Sequence, residues 1–115
     1  MTGFQPKIAL AIQKELAAAS RLARAGREEE SFRHLERAHI LGQASTVQHL
    51  RVHWRMLVWG WRRKDAREVL GQIQRIIGAA VATPFGLLPR GNTGGAKVSA
   101  FQPMPIPPDL EKLFS

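Results

Sequence analysis

The chain has 115 residues, 44% of them hydrophobic, no cysteine, no tyrosine and a formal charge of +8. One domain with one core is expected at this length; the hydrophobic content excludes a disordered chain, and the lack of thiols excludes disulfides, thiolate metal sites and cysteine catalysis. Residues 1–5 lack the charged, apolar, small-residue order of a secretory leader, and the apolar region from Val69 to Leu88 is broken by Gln72, Gln74, Arg75 and Pro84, so no membrane span is expected and the cytoplasm is the expected location.

In chain order, Ile8, Ile12, Leu16, Ala19, Leu22 and Ala23 recur at steps of three and four, which predicts an amphipathic helix from about Pro6 to Ala25. Pro6 suits its first turn and Gly26 the residue past its end. Glu28, Glu29 and Glu30 favour the start of a second helix, where the dipole attracts carboxylates. Phe32, Leu35, Ala38, His39 and Leu41 mark its inner face, and Gly42 ends it. Ser45-Thr46-Val47-Gln48 reads as a capping box opening a third helix, with Val47, Leu50, Trp54, Leu57, Val58 and Trp61 as its main apolar stripe. Asp65-Ala66-Arg67-Glu68 repeats that logic for a fourth helix carrying Val69, Leu70, Ile73, Ile76, Ile77 and Ala80, closed by Thr83-Pro84. The short links predict antiparallel neighbours.

The expected architecture is therefore all-α: a single domain, residues 1–115, with a four-helix body of two antiparallel hairpins over residues 6–82. Residues 83–115 hold most of the prolines and a glycine cluster. They are expected to form an ordered, extended tail over the helices, with one helical turn near Asp109 to Phe114.

All four histidines lie between His34 and Trp54. Residues three or four apart on a helix face the same way, which groups Glu36 with His39 and His49 with His53. A bend near Gln43-Ala44 brings these four side chains toward one point, while His34 points elsewhere. A carboxylate with two or three imidazoles suits zinc, ferrous iron, copper(II) or nickel. The set lacks the two Glu-x-x-His motifs plus two further Glu that a di-iron bundle uses, so a mononuclear site is the sharper expectation. The same histidines also fit a purely structural role, each bonded to backbone, or acid–base work.

Arg90-Gly91-Asn92-Thr93-Gly94-Gly95 either cups an anion in a backbone nest or makes a turn that needs positive φ. It is not a phosphate-binding P-loop. Asn92 and Thr93 are candidates to support the histidines from the tail. Trp54 and Trp61 fit the core stripe. Trp59, on the opposite side with Val52, needs cover from a helix, the tail or a partner, and is the candidate oligomer or protein contact. The cationic residues are scattered apart from Arg62-Arg63-Lys64, so a solvated surface is expected before binding to nucleic acid or an anionic membrane. No Ser-His-Asp arrangement is present.

The stretch AGREEESFRHLERAHILG resembles the latter half of a tetratricopeptide repeat, a helical-hairpin module. HLERAHILGQ, HW and GNTGGAKVSAFQPMPIPPDL are similar over nearly the whole chain to a family of small bacterial proteins catalogued only as a domain of unknown function. The family pattern has Asn where this chain has Lys97. That resemblance implies a single-domain, helical bacterial protein and brings no activity, cofactor or catalytic residue. Three functional readings follow from the residues. The first is divalent-metal binding at Glu36, His39, His49 and His53, for metal handling or as a small metalloenzyme. The second is a tetratricopeptide-like interaction module with structural histidines. The third is a basic surface for nucleic acid or membrane.

Overall fold

The computed structural model describes residues 5–87, 89–99 and 101–114. The leader expectation for residues 1–4, and the role of Leu88 in the apolar region, lie outside them. Five α-helices follow in order: α1 Pro6–Arg24, α2 Glu28–Gly42, α3 Thr46–Arg62, α4 Ala66–Ala82 and α5 Pro108–Glu111. Two 3-10 turns, Thr83–Phe85 and Lys112–Phe114, complete the regular structure. No strand occurs among the described residues, and none of their helices is long and apolar enough to cross a membrane.

The helix ends follow from local chemistry. Pro6 opens α1, where a missing N–H costs nothing. Gly26, at φ +78°, closes it, with the Arg27 N–H reaching back to the Leu22 carbonyl at 2.9 Å. The Ser45 hydroxyl accepts from the Gln48 N–H, and the Asp65 carboxylate accepts from the Glu68 N–H at 3.0 Å. Only half of the expected box forms at α4. The Glu68 side chain turns inward, and the Asp65 N–H goes to the Gly60 carbonyl at 2.8 Å.

The helices pack in sequence, α1 on α2, α2 on α3 and α3 on α4. Ser31 donates to the Ala19 carbonyl, His34 meets Glu15, and Gly42 approaches Ile12, so positions fall along α1 as they rise along α2. Ile8, Ile12, Leu16 and Ala19 form the buried stripe of α1, joined by Leu35, Ala38, Ile40 and Leu41 of α2 and by Leu110 of α5. Each such large aliphatic side chain contributes about 1.5–3 kcal/mol on burial. Arg37 holds both Glu15 of α1 and Asp109 of α5.

The inner faces of α3 and α4 differ from the expected stripes. The buried residues of α3 are His49, Val52, His53, Met56, Trp59 and Gly60, while Trp54 and Trp61 are 58% and 73% exposed. Trp59 is buried: its ring lies 4.5 Å from that of Phe32 and its N–H donates to the Glu28 carbonyl at 2.9 Å. It therefore offers no contact surface to a partner. On α4 the buried residues are Glu68, Gln72 and Ala79, and Leu70, Ile73 and Ile77 face outward. The physical reason is polar demand. The buried imidazoles of α3 need hydrogen-bonding partners, and Gln72 of α4 and Thr83 just past its end supply them.

Candidate metal centre

His39 of α2 and His49 and His53 of α3 turn into the interior and are 2–6% exposed. The i,i+4 spacing stacks His49 and His53 on the α3 face that meets α2. The three rings pack with centroids 4.6–4.8 Å apart. The Nε2 atom of His39 lies 3.0 Å from that of His49 and 3.1 Å from that of His53. Among the described residues these three form a group whose ligand atoms lie within 4.8 Å of one another.

The outward nitrogens fix the tautomers. His39 Nδ1 is 2.7 Å from the Asn92 carbonyl oxygen, which can only accept, so this nitrogen carries the proton. His53 Nδ1 is 2.6 Å from Gln72 Oε1. The amide of Gln72 cannot be turned the other way, because its nitrogen donates to Glu68 Oε2 at 2.6 Å and to the Gly94 carbonyl at 3.0 Å. His53 Nδ1 is therefore also a donor. His49 Nδ1 pairs with the Thr83 hydroxyl at 2.8 Å. A neutral imidazole protonated at Nδ1 has a bare lone pair at Nε2. His39 and His53 thus aim two lone pairs at each other across 3.1 Å.

Extra protons do not fill that gap near neutral pH. Burial, then repulsion from His53 and His49, holds the His39 pKa well below the usual imidazole range. Burial followed by repulsion from His53 pushes His49 down to about 3. Burial pushes His53 down to about 4, opposed by its bond to Gln72 and helped by the charge of Arg75. Neutral imidazoles with converging lone pairs are the form that binds metal.

The segment after α4 closes the site. Asn92 is fully enclosed; its amide donates to the Ser99 and Gln102 carbonyls and its Oδ1 accepts from the Gly94 N–H at 2.8 Å. That brace presents the Asn92 carbonyl to His39. Gly94, at φ +86°, touches the ring itself: a Cβ there would sit 2.5 Å from His39 Cδ2. The glycine cluster is thus a positive-φ turn fitted against an imidazole.

Four of the sequence candidates meet here: His39, His49, His53 and, through its backbone, Asn92. Thr93 is half-buried, and no hydrogen bond joins it to the rings among the described residues. Glu36 does not join them. One turn before His39 on α2, it lines a different hollow with Phe32, Arg33, Trp59 and Glu68. There burial, and to a lesser degree Glu68 and Glu29, raise its pKa while Arg33 opposes them. The offset along α2 swings its carboxylate past the rings. His34 pairs instead with Glu15 at 2.7 Å. Sequence reasoning missed Gln72, Glu68 and Thr83. Glu68 and Gln72 share one face of α4 at i,i+4, but no spacing ties that face, or Thr83, to the imidazoles.

A cavity of about 310 Å³ adjoins the three rings, lined also by Gln43, Arg75, Ala79, Ala82, Leu87 and Phe101. The three imidazoles thus stand on one side and open space on the other.

No curated protein and no solved structure matches the chain. The tetratricopeptide resemblance of α2 gains no support from these comparisons. One family model does match, across residues 6–114, under the description "Protein of unknown function (DUF3703)". A match over almost the whole chain places this protein in the DUF3703 family.

Proposed function

We infer that His39, His49 and His53 together bind one divalent transition-metal ion through their Nε2 atoms. The observation that carries this is the 3.1 Å approach of His39 Nε2 and His53 Nε2, both bare of protons because both Nδ1 atoms donate to fixed oxygen acceptors. Two lone pairs so placed repel unless a cation stands near both. A metal 2.0–2.1 Å from each nitrogen sets nitrogen–nitrogen separations of about 2.9 Å at right angles and about 3.4 Å at the tetrahedral angle. The two separations made by His39, 3.0 and 3.1 Å, fall between. Three neutral imidazoles suit zinc, copper(II), nickel or ferrous iron.

The partners of the Nδ1 atoms support the same reading. A metal-bound histidine donates its other N–H to a carbonyl, carboxylate or water, which orients the ring and strengthens the ligand. All three rings here have an oxygen in that place, and behind Gln72 stands the Glu68 carboxylate. The open side, toward the cavity, favours a metal that presents a coordination position to a small molecule. A bound ion there would polarise a carbonyl or lower the pKa of bound water.

The test is a cobalt(II) or zinc titration of tag-free protein with a competing chelator. One ion per chain is expected, lost in His39→Ala and in His53→Ala, with Glu36→Ala unchanged. Equal, negligible binding by all of these proteins would overturn the reading.

A second property, self-association, is favoured by the outer face of α3 and α4. Trp54 and Trp61 on α3 and Leu70, Ile73, Ile77 and Val81 on α4 are exposed, and Trp61 and Leu70 share one groove. The largest apolar patch on a monomer is ordinarily about 300–600 Å². Trp54 and Trp61, 58% and 73% exposed, present about 200–330 Å² on side chains of about 150–250 Å² each, before the aliphatic side chains are counted. The stripe from Leu70 to Val81 carries no charge, which fits a second copy of the same face. A standard interface needs about 800 Å² from each partner.

A further inference from the structure

The cavity beside the imidazoles has a charge problem. Its described lining holds one charged side chain, Arg75, and no carboxylate. The Arg75 charge is close enough to be felt by His39 and His53. Three neutral imidazoles contribute nothing to offset a divalent ion. Glu68, whose charge acts on Arg75, is committed to Gln72 and to the Ala96 N–H. A partly enclosed site with a dication and a guanidinium therefore calls for an anion.

The cavity also shows where that anion would be held. Among the described residues, two buried side-chain polar atoms lack a hydrogen-bond partner, Gln43 Oε1 and Arg75 Nε, and both residues line this cavity. Buried groups are normally paired, so an orphaned one points to a missing partner. The Arg75 head is held in place by the Gly71 and Val98 carbonyls at 3.2 and 2.6 Å, and its Nε is the nitrogen left without a partner. Gln43, 6% exposed, is anchored by its own nitrogen to the Pro89 carbonyl at 3.0 Å. Its oxygen is left without a donor.

Of the remaining lining, Gln74 is polar and Gly78, Ala79, Ala82, Leu87, Pro89 and Phe101 form an apolar wall. Leu87 and Phe101, 70% and 87% exposed, stand at the rim. About 310 Å³ is roughly ten times the share of one water molecule in the liquid, which is room for a short hydrocarbon chain. A bare inorganic anion would leave these walls unused.

Resting on the metal reading above, we propose that this cavity binds a short-chain monocarboxylate. The carboxylate lies between the metal's open side and Arg75 Nε, and the chain lies along Ala79, Ala82, Leu87 and Phe101. Arginine suits carboxylate recognition because its N–H fork is fixed and always charged.

The experiment uses the full chain loaded with one equivalent of cobalt(II), titrated with chloride, acetate, butyrate and hexanoate while the visible d–d bands are followed. Expected are saturable spectral changes with the carboxylates and at least tenfold tighter binding of hexanoate than of acetate. Arg75→Gln should weaken hexanoate at least tenfold while cobalt remains bound one to one. Ala82→Phe, which fills the cavity from α4 without touching a polar group, should abolish the chain-length preference and spare acetate. Full cobalt occupancy with no response to any carboxylate would overturn the proposal, as would an equal response to chloride, acetate and hexanoate. Absence of cobalt binding in the unaltered chain would instead overturn the metal reading, and this inference with it.

Discussion

The Nε2 atoms of His39 and His53 stand 3.1 Å apart, and both Nδ1 atoms are already committed as donors, to the Asn92 carbonyl and to Gln72 Oε1. Three separate stretches of chain create that relationship: α2 brings one ring, α3 the other, and α4 with the following segment the oxygen atoms that set their tautomers. The site is therefore a product of the whole fold.

Gln72 is the first place to test the supporting groups. Its oxygen orients His53 while its nitrogen is held by Glu68 and Gly94. Gln72→Leu removes the acceptor and leaves the ring free to turn. Such outer partners are worth about 10–100-fold in metal affinity. A chelator competition should show a loss of that size in Gln72→Leu with the helical circular dichroism retained.

Gly94→Ala should destabilise the chain. Its φ of +86° disfavours any side chain, and the added Cβ would lie 2.5 Å from His39 Cδ2. The backbone alone should cost about 1–3 kcal/mol, with the displacement of His39 adding to it. Urea unfolding of the metal-free protein reads the sum, and weaker metal binding should accompany it. Gly78→Ala, where nothing lies within 4 Å of the added Cβ, is the control. It should be neutral or slightly stabilising.

Lys64 offers the opposite sign. It closes α3 in the left-handed region at φ 56°, a position that glycine fills without penalty. Lys64→Gly should raise stability by about 1 kcal/mol, read as a higher urea midpoint with an unchanged slope.

The metal-free protein should lose stability in acid. His49 and His53 have pKa values of about 3 and about 4 when folded, against about 6.5 when unfolded. Above pH 6.5 both states hold these rings neutral and their contribution is fully retained. As pH falls below 6.5 the unfolded chain takes up protons that the folded chain refuses, and stability declines down to about pH 4 for His53 and about pH 3 for His49. Thermal melts in chelator from pH 8 to 4.5 should show this, and His49→Gln with His53→Gln should flatten the slope.

Self-association is read by light scattering behind a sizing column. A dimer is expected at micromolar concentration, and Trp61→Lys, which sets a charge on the exposed face, should return it to monomer. A monomeric unaltered chain would remove this second property.

Much of the architecture was legible because it is local. Pro6, Gly26, Gly42, Ser45 and Asp65 mark helix ends through backbone chemistry acting within a few residues, and the α1 stripe has a single apolar face to choose. The inner faces of α3 and α4 were not legible from hydrophobicity. Trp54 and Trp61 outweigh His49 and His53 on any apolar scale, yet the histidines are inside because their partners are. Glu36 went astray for a related reason: a shared helix face permits convergence, but one turn along α2 was enough to direct its carboxylate elsewhere. Gln72 and Thr83 lie 19 and 34 residues from the rings they serve, beyond the reach of any spacing rule.

The most direct test of the central claim is a crystal structure of the metal-loaded protein, with anomalous diffraction measured at the metal edge. The account predicts one peak per chain about 2.0–2.1 Å from the Nε2 atoms of His39, His49 and His53, with Glu36 outside the coordination shell. A peak elsewhere, or fully loaded crystals with the three rings hydrogen-bonded only to protein, would contradict it.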